Sequence, residues 1–277
     1  MSVTSPPRTP SETRGPATVQ PRKPFLHRRS GVWTVRVLAF VLIVGGWELY
    51  AADLPRALLA PPSEVAVAFY QQLFVDGSLR GALSSSLLSL VGGFGLALLF
   101  GIPLGVAMGR SRKLEHLVDP YVMFLYAIPN VALVPLFVIW LGFDFKLRLA
   151  YVVISSIFPI VINVMSGVKN VSVDLLECGQ SFCANERQKL RTIVLPSAIP
   201  YIMTGARQGL SHAWVGVVVA EMLATLTGLG GLILTYGNRF RTADMLVPIV
   251  AIMLLAVFLQ VGLARLQSGL TPWDRDR

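Results

Sequence analysis

Charge is scarce in this chain. Only 14% of its 277 residues are Asp, Glu, Lys or Arg, against about 25% in soluble globular domains, too few to coat a packed globule in water. Cysteine and histidine are scarcer still, two and three residues. Cys178 and Cys183 form a lone C-x4-C without the further ligands of a zinc site. They fall in a polar stretch placed below on the cytoplasmic side, where thiols stay reduced, so neither metal nor disulfide is expected. No G-x4-G-K-[ST] occurs, and the Gly228-Leu229-Gly230-Gly231 run lacks the following lysine and hydroxyl residue, so no nucleotide cradle is expected in this chain. Long stretches lack charge altogether: 81–109, 120–143, 149–168 and 245–264. A helix of ~20 apolar residues crosses a hydrocarbon layer of about 30 Å, so these absences, with a mean hydropathy of +0.63, predict an all-α membrane protein.

Residues 1–31 hold six prolines and six cations and are expected to form a disordered cytoplasmic tail. The apolar run 31–47 then reads as an uncleaved span, being too long and too far from the terminus for a signal peptide. A further span from about Ala198 to Glu221 is interrupted by Arg207, whose charge must lie near a helix end or face protein. That gives six spans within a membrane domain at 32–266, followed by a cytoplasmic tail at 267–277. With both termini inside, 16 cations fall inside and six outside (Arg56, Arg80, Lys146, Arg148, Arg239, Arg241), as the positive-inside rule requires. A seventh span at 222–238 would put the basic C-terminal tail outside, so that glycine-rich stretch is expected to be external or re-entrant.

The net charge of +9 lies between apolar runs rather than along one face, which argues against nucleic acid as partner. Ala97, Gly101, Gly105 and Gly109 recur at four-residue spacing and allow another helix to approach closely, within the chain or from a second subunit. Pro103, Pro129 and Pro135 free backbone carbonyls inside spans, at kinks or along a pathway. Trp47, Trp140 and Trp214 fit membrane-interface belts, and Glu48 fits the outer end of the first span.

The longest polar interruption between spans, 169–197, reads KNVSVDLLECGQSFCANERQKLRTIVLP. Asp174 can cap a helix that continues through Glu177, and apolar residues at 175, 176, 182, 190, 193, 194 and 195 give it a sticky face. Leu195-Pro196 should end the segment before the next span. Such a helix lies on lipid or docks into a partner's groove.

The pattern E-C-G-x3-C-A-N-x9-LP, Glu177 to Pro196, resembles the EAA loop of ABC importer permeases, usually E-A-A-x3-G-x9-to-12-LP. The flanking MGRSRKLEHLVDP, IPNVALVPLFVIWLGF, FPIVINVMSGV and GARQGLSHAWVGVVVAEMLATLTGLGGLI are similar to permeases of nitrate, sulfonate, taurine and thiamine-precursor importers. The resemblance covers about residues 60–265. It implies a type I importer permease of the bacterial inner membrane, with Leu175, Leu176, Glu177, Cys178, Gly179, Cys183, Ala184, Asn185, Leu195 and Pro196 coupling it to a separate ATPase. It also implies a cytoplasmic ATPase dimer that binds ATP and Mg, a second permease subunit such as another copy of this chain, and an external substrate-binding protein. Glu177 would anchor the coupling helix, by pairing with a partner cation or by capping within the loop. Cys183 stands where the family has glycine; if that position needs a positive φ, cysteine there costs about 1–2 kcal/mol.

Asn130, Arg207 and Glu221 are the pathway candidates. Asn130 could instead satisfy a carbonyl freed by Pro129, and Arg207 and Glu221 could be structural or interfacial. An ATP-independent channel or scaffold would share the spans but needs no EAA-like loop. An intramembrane hydrolase built on Ser211-His212 fails on geometry, because adjacent helix residues point about 100° apart.

Overall fold

The computed structural model describes residues 29–271, so the proline-rich tail up to residue 28 and the end from 272 lie outside the described residues. By internal contacts the chain divides into one unit ending at Trp47 and another from Glu48 onward. The first unit is helical from Arg29, the start of α1 (Arg29–Ala52). Its apolar side chains, among them Phe40 and Ile43, are exposed, and Val32–Ala52 is long and apolar enough to span a membrane. Three residues expected to belong to the tail, 29–31, are therefore helical.

The second unit is built on three long helices, α3 (Ser78–Arg110), α6 (Phe145–Lys169) and α9 (Leu195–Ala220). The central one is α6, packed along its length by α3 on one side and α9 on the other. Small residues make that possible. A Cβ on Gly105 would lie 2.8 Å from the Val161 carbonyl oxygen, and one on Gly109 would lie 2.7 Å from Val168 Cβ. On the other side, Gly209 and Gly216 admit Ile160 and Ser155. The four-residue ladder of α3 is thus filled by the chain's own α6, and its continuation, Gly93, meets Val152. Without interhelical hydrophobic drive in lipid, such close backbone approach is what holds apolar helices together.

Shorter elements complete the unit. Helix α2 (Pro62–Tyr70) is anchored at its start by Glu48, whose carboxylate accepts from the Ser63 amide at 3.0 Å and the Ser63 hydroxyl at 2.6 Å. Negative charge at an N-terminus is favoured by the unpaired N–H groups there. The expected third span, 120–143, is not one straight helix. Helix α4 (Arg112–Ala127) and α5 (Val134–Leu141), joined through a 3-10 turn at Asn130–Leu133, meet at 91°. Pro129 sits at that break, where the residue before a proline is driven to extended backbone: Ile128 has ψ 129°.

Helix α9 continues through a wider π-helical turn, Glu221–Thr225, and α10 (Gly228–Gly237) folds away from it by 58°. The stretch read as external or re-entrant is therefore a short helix, packed against α3, α9 and α11 (Thr242–Leu270). Helix α11 runs four residues past the domain boundary expected at 266. Among the described residues, four helices are long and apolar enough to cross a membrane, or up to six spans if each bent pair counts as one. The described residues contain no β-strand. Trp214, read as an interfacial residue, is instead in the core with Leu210, Val217 and Val247; it is 5% exposed.

Candidate functional site

The loop that resembles the EAA segment folds as two short helices rather than one. Helix α7 (Val173–Ser181) is followed by a turn and α8 (Glu186–Lys189). Ser172 rather than Asp174 occupies the cap position, with Asp174 in the first turn. The two turns of α7 sort its apolar residues. Leu176 points inward to Val168, Val171, Val194 and Ala198 with Leu190 and Ile193, whereas Leu175 and Val173 stay exposed. Gly179 is buried against Ile193: an added Cβ would come within 2.6 Å of its Cδ1. A side chain there would have to displace the end of the Ile193 side chain.

Cys183 keeps the left-handed turn, with φ 55°. Its amide donates to the Gln180 carbonyl at 2.8 Å, and the Ala184 amide donates to the Gly179 carbonyl at 3.0 Å. This pair of bonds is the Schellman ending that normally takes glycine. Cysteine therefore carries the left-handed strain, and Cys183→Gly is expected to stabilise the folded permease by about 1 kcal/mol. A thermal-melting comparison in detergent would show this as a small upward shift; a lower melting point would refute it. Cys178 is exposed and also free.

Asn185 starts α8 through a capping box: its carboxamide accepts from the Gln188 amide at 2.9 Å while Gln188 Oε1 accepts from the Asn185 amide at 2.8 Å. Leu195-Pro196 does not end the segment. A π-helical turn at Leu190–Val194 runs straight into α9, with Pro196 in its first turn, where a missing N–H is tolerated.

Charge pairs tie the loop to the bundle. Arg110, at the end of α3, donates to the Glu186 carboxylate, which also pairs with Lys189 at 2.7 Å. The Lys189 hydrogen bond first, then its charge, and Arg110 hold the Glu186 carboxyl below the usual carboxylate range. The tie is thus intact at neutral pH and is lost as pH falls through that lowered pKa. Lys169, closing α6, pairs with Glu115 of α4 at 2.6 Å. Between these pairs opens a cleft of about 890 Å³ lined by Arg112, His116, Leu176, Glu177 and Gln180 among others. The Glu177 side chain is exposed and bonds no other described residue; only its carbonyl is used, accepting from Ser181 Oγ at 3.0 Å. Capping within the loop is therefore not its role.

The three pathway candidates are far apart in environment. Asn130 is half-buried at the α4–α5 break, and its amide bonds no described group. Arg207 is half-buried in the middle of α9. Glu221 is completely enclosed: Ser86 Oγ lies 2.8 Å from both its oxygens, the Gly230 amide donates at 3.0 Å and Arg148 stands 3.7 Å away. The Leu229 amide in turn donates to Ser86 Oγ at 2.9 Å. Glu221 pins the start of α10 to α3, a carboxylate meeting helix N–H groups. Ser211 and His212 diverge as adjacent residues must. Ser211 Oγ accepts from Gln260 at 2.9 Å, while the His212 ring meets Tyr126.

Sequence comparison places this architecture. Residues 97–272 match the model of the binding-protein-dependent transport system inner membrane component family. The chain is 33% identical over 238 residues to the taurine transport system permease protein TauC of Escherichia coli, covering 84% of this chain and 86% of that one. It is 27% identical to the putative aliphatic sulfonates transport permease protein SsuC of Bacillus subtilis, covering 87% of this chain and 88% of that protein. A chain in crystal structures of the MetNI methionine ABC transporter superposes with a TM-score of 0.60 at 20% identity, covering 73% of this chain and 98% of that one. That likeness carries the type I importer permease fold. The chain therefore belongs to the binding-protein-dependent transport system inner membrane component family and is an ABC importer permease subunit.

Proposed function

We propose that this permease imports a small organosulfonate such as taurine, driven by a separate ATPase that grips the 173–185 segment. The observation that carries the coupling half is the loop itself. The loop is fastened by Leu176, Gly179 and the Arg110–Glu186 pair, while Glu177, Leu175 and Phe182 are each exposed, and the Glu177 carboxylate bonds no other described residue. A helix locked to the bundle by some side chains while leaving a carboxylate and apolar groups exposed suits transmission of rigid-body motion. The solute class rests on the named relatives. An external binding protein would deliver it, a second permease subunit, such as another copy of this chain, would complete the path, and the excess of cations on the loop side orients both termini to the cytoplasm.

The experiment is co-purification and uptake in one strain. The ATPase should co-purify with the permease, and Glu177→Lys should insert normally yet lose uptake by at least about tenfold, a difference of ~1.4 kcal/mol in coupling. Wild-type uptake in that variant would sink the coupling assignment. ATP-independent flux without any bound ATPase would favour a channel instead.

A further inference from the structure

The middle of α9 carries polar side chains where a lipid-facing helix would be apolar. Gln208 and His212 stand one turn apart on one face, about 20 and 25 Å along the helix from Leu195 at ~1.5 Å per residue. Gln208 is exposed and His212 half-buried. Gln208 Oε1 accepts from Asn163 Nδ2 of α6 at 2.8 Å, and the Gln208 amide nitrogen bonds no described residue. The His212 ring meets Tyr126 of α4 edge-on, with centroids 6.2 Å apart, and its nitrogens bond no described residue. Ser211 borders the same exposed face. Arg207, beside them, has no ion pair among the described residues. Its carbonyl, not its guanidinium, is engaged by Gln260 at 3.1 Å.

Two facts restrict what this face meets. Unpaired donors at mid-span are strongly unfavourable against hydrocarbon, so they face protein or a water-filled cavity. Each of the free groups can donate a hydrogen bond: a guanidinium, an imidazole and a primary amide. Helix α9 carries no carboxylate from Leu195 to Ala220, and Glu221, which follows it, is sealed away with Ser86 and Gly230.

We infer that this face of α9 lines the translocation path, and that Gln208 and His212, with Arg207 beside them, receive the anionic group of a small organosulfonate in transit. This rests on the importer reading above. It adds Gln208, His212 and the orienting Asn163 to a path for which the sequence offered Asn130, Arg207 and Glu221. The site is a weak one by construction, since a transit point must release what it binds.

Thiol labelling of the full chain in membrane vesicles tests the path without depending on transport. The native thiols are replaced by Cys178→Ser and Cys183→Gly, and single cysteines are introduced by Gln208→Cys and Phe258→Cys. Phe258 is an apolar residue of α11, 71% exposed. The probes are 2-sulfonatoethyl and 2-(trimethylammonium)ethyl methanethiosulfonate, each forming a mixed disulfide with the thiolate and releasing a sulfinate. Because thiolate forms in water and not in hydrocarbon, Gln208→Cys should react at least about tenfold faster than Phe258→Cys. Its preference for the anionic over the cationic probe should exceed that of free cysteine by about tenfold, and Arg207→Gln should abolish the excess. Equal, slow labelling at both positions overturns the path. Fast labelling without anionic preference overturns the anion contact. Failure of the unmodified transporter to take up any alkanesulfonate would count against the solute named under Proposed function, while the labelling ratios decide this inference.

Discussion

Phe182→Asp is expected to release the ATPase while leaving the permease itself as stable as before. Phe182 closes α7 just ahead of the left-handed Cys183, and it is 83% exposed. Val173 and Leu175 of the same loop are also exposed, at 64% and 49%. Burying a phenylalanine stabilises by about 2 kcal/mol, which is a factor of about 30 in affinity. Aspartate removes that gain and adds a charge that must be desolvated in the partner's groove. Co-purification of ATPase should therefore fall by at least about 30-fold. The melting temperature of the permease alone should not move, because almost none of the ring is buried by the chain itself. Leu176→Asp should do the reverse, melting the loop along with the coupling, since Leu176 belongs to the cluster around Val194 and Ala198. Undiminished ATPase binding by Phe182→Asp would mean that the partner grips another face.

Gly228→Ala is the change expected to damage the fold most for its size. Gly228 has φ +66°, and a Cβ there would lie 2.1 Å from Glu221 Oε1 and 2.6 Å from Oε2. The carboxylate cannot retreat. It is held by Ser86, by the Gly230 amide and by Arg148, with no exposed surface. Left-handed strain of about 1–2 kcal/mol adds to an overpacking cost of about 1–3 kcal/mol. A total near 3 kcal/mol corresponds to a fall in melting temperature of about 10 °C for a chain of this size. Glu221→Ala in the Gly228→Ala background relieves the collision but leaves the Gly230 N–H without its acceptor, so it should recover only part of the loss. An unshifted melting curve for Gly228→Ala would falsify the account of this hairpin.

Much of the architecture was legible because the membrane makes strict demands. Every backbone polar group in hydrocarbon must be bonded within the chain, so spans must be long uncharged helices. Stretches 81–109, 149–168 and 245–264 announced α3, α6 and α11 by the absence of charge alone. The glycine ladder signalled a close helix neighbour, but two-way self-similarity of small residues could not say which one. The packing of Val161, Val164 and Val168 against Gly105 and Gly109 assigns it to α6. Likewise Leu175 and Leu176 look equivalent in the sequence. Which of them faces the bundle depends on the rotational setting of a helix of two and a half turns, and nine residues are too few for periodicity to fix it.

The sequence by itself determined a helical membrane chain, its approximate spans and its family, because hydropathy and the Glu177-to-Pro196 pattern are local properties. Tertiary structure decided three things. It placed the 91° break after Ala127 where Pro129 stops the helix. It kept Cys183 left-handed, because the bonds from Cys183 and Ala184 back to α7 outweigh the strain on a residue with a Cβ. And it turned Glu221 from an isolated charge in an apolar run into the clamp of α10, since its partner Ser86 stands 135 residues away in the chain and meets it only when α3 and α9 pack.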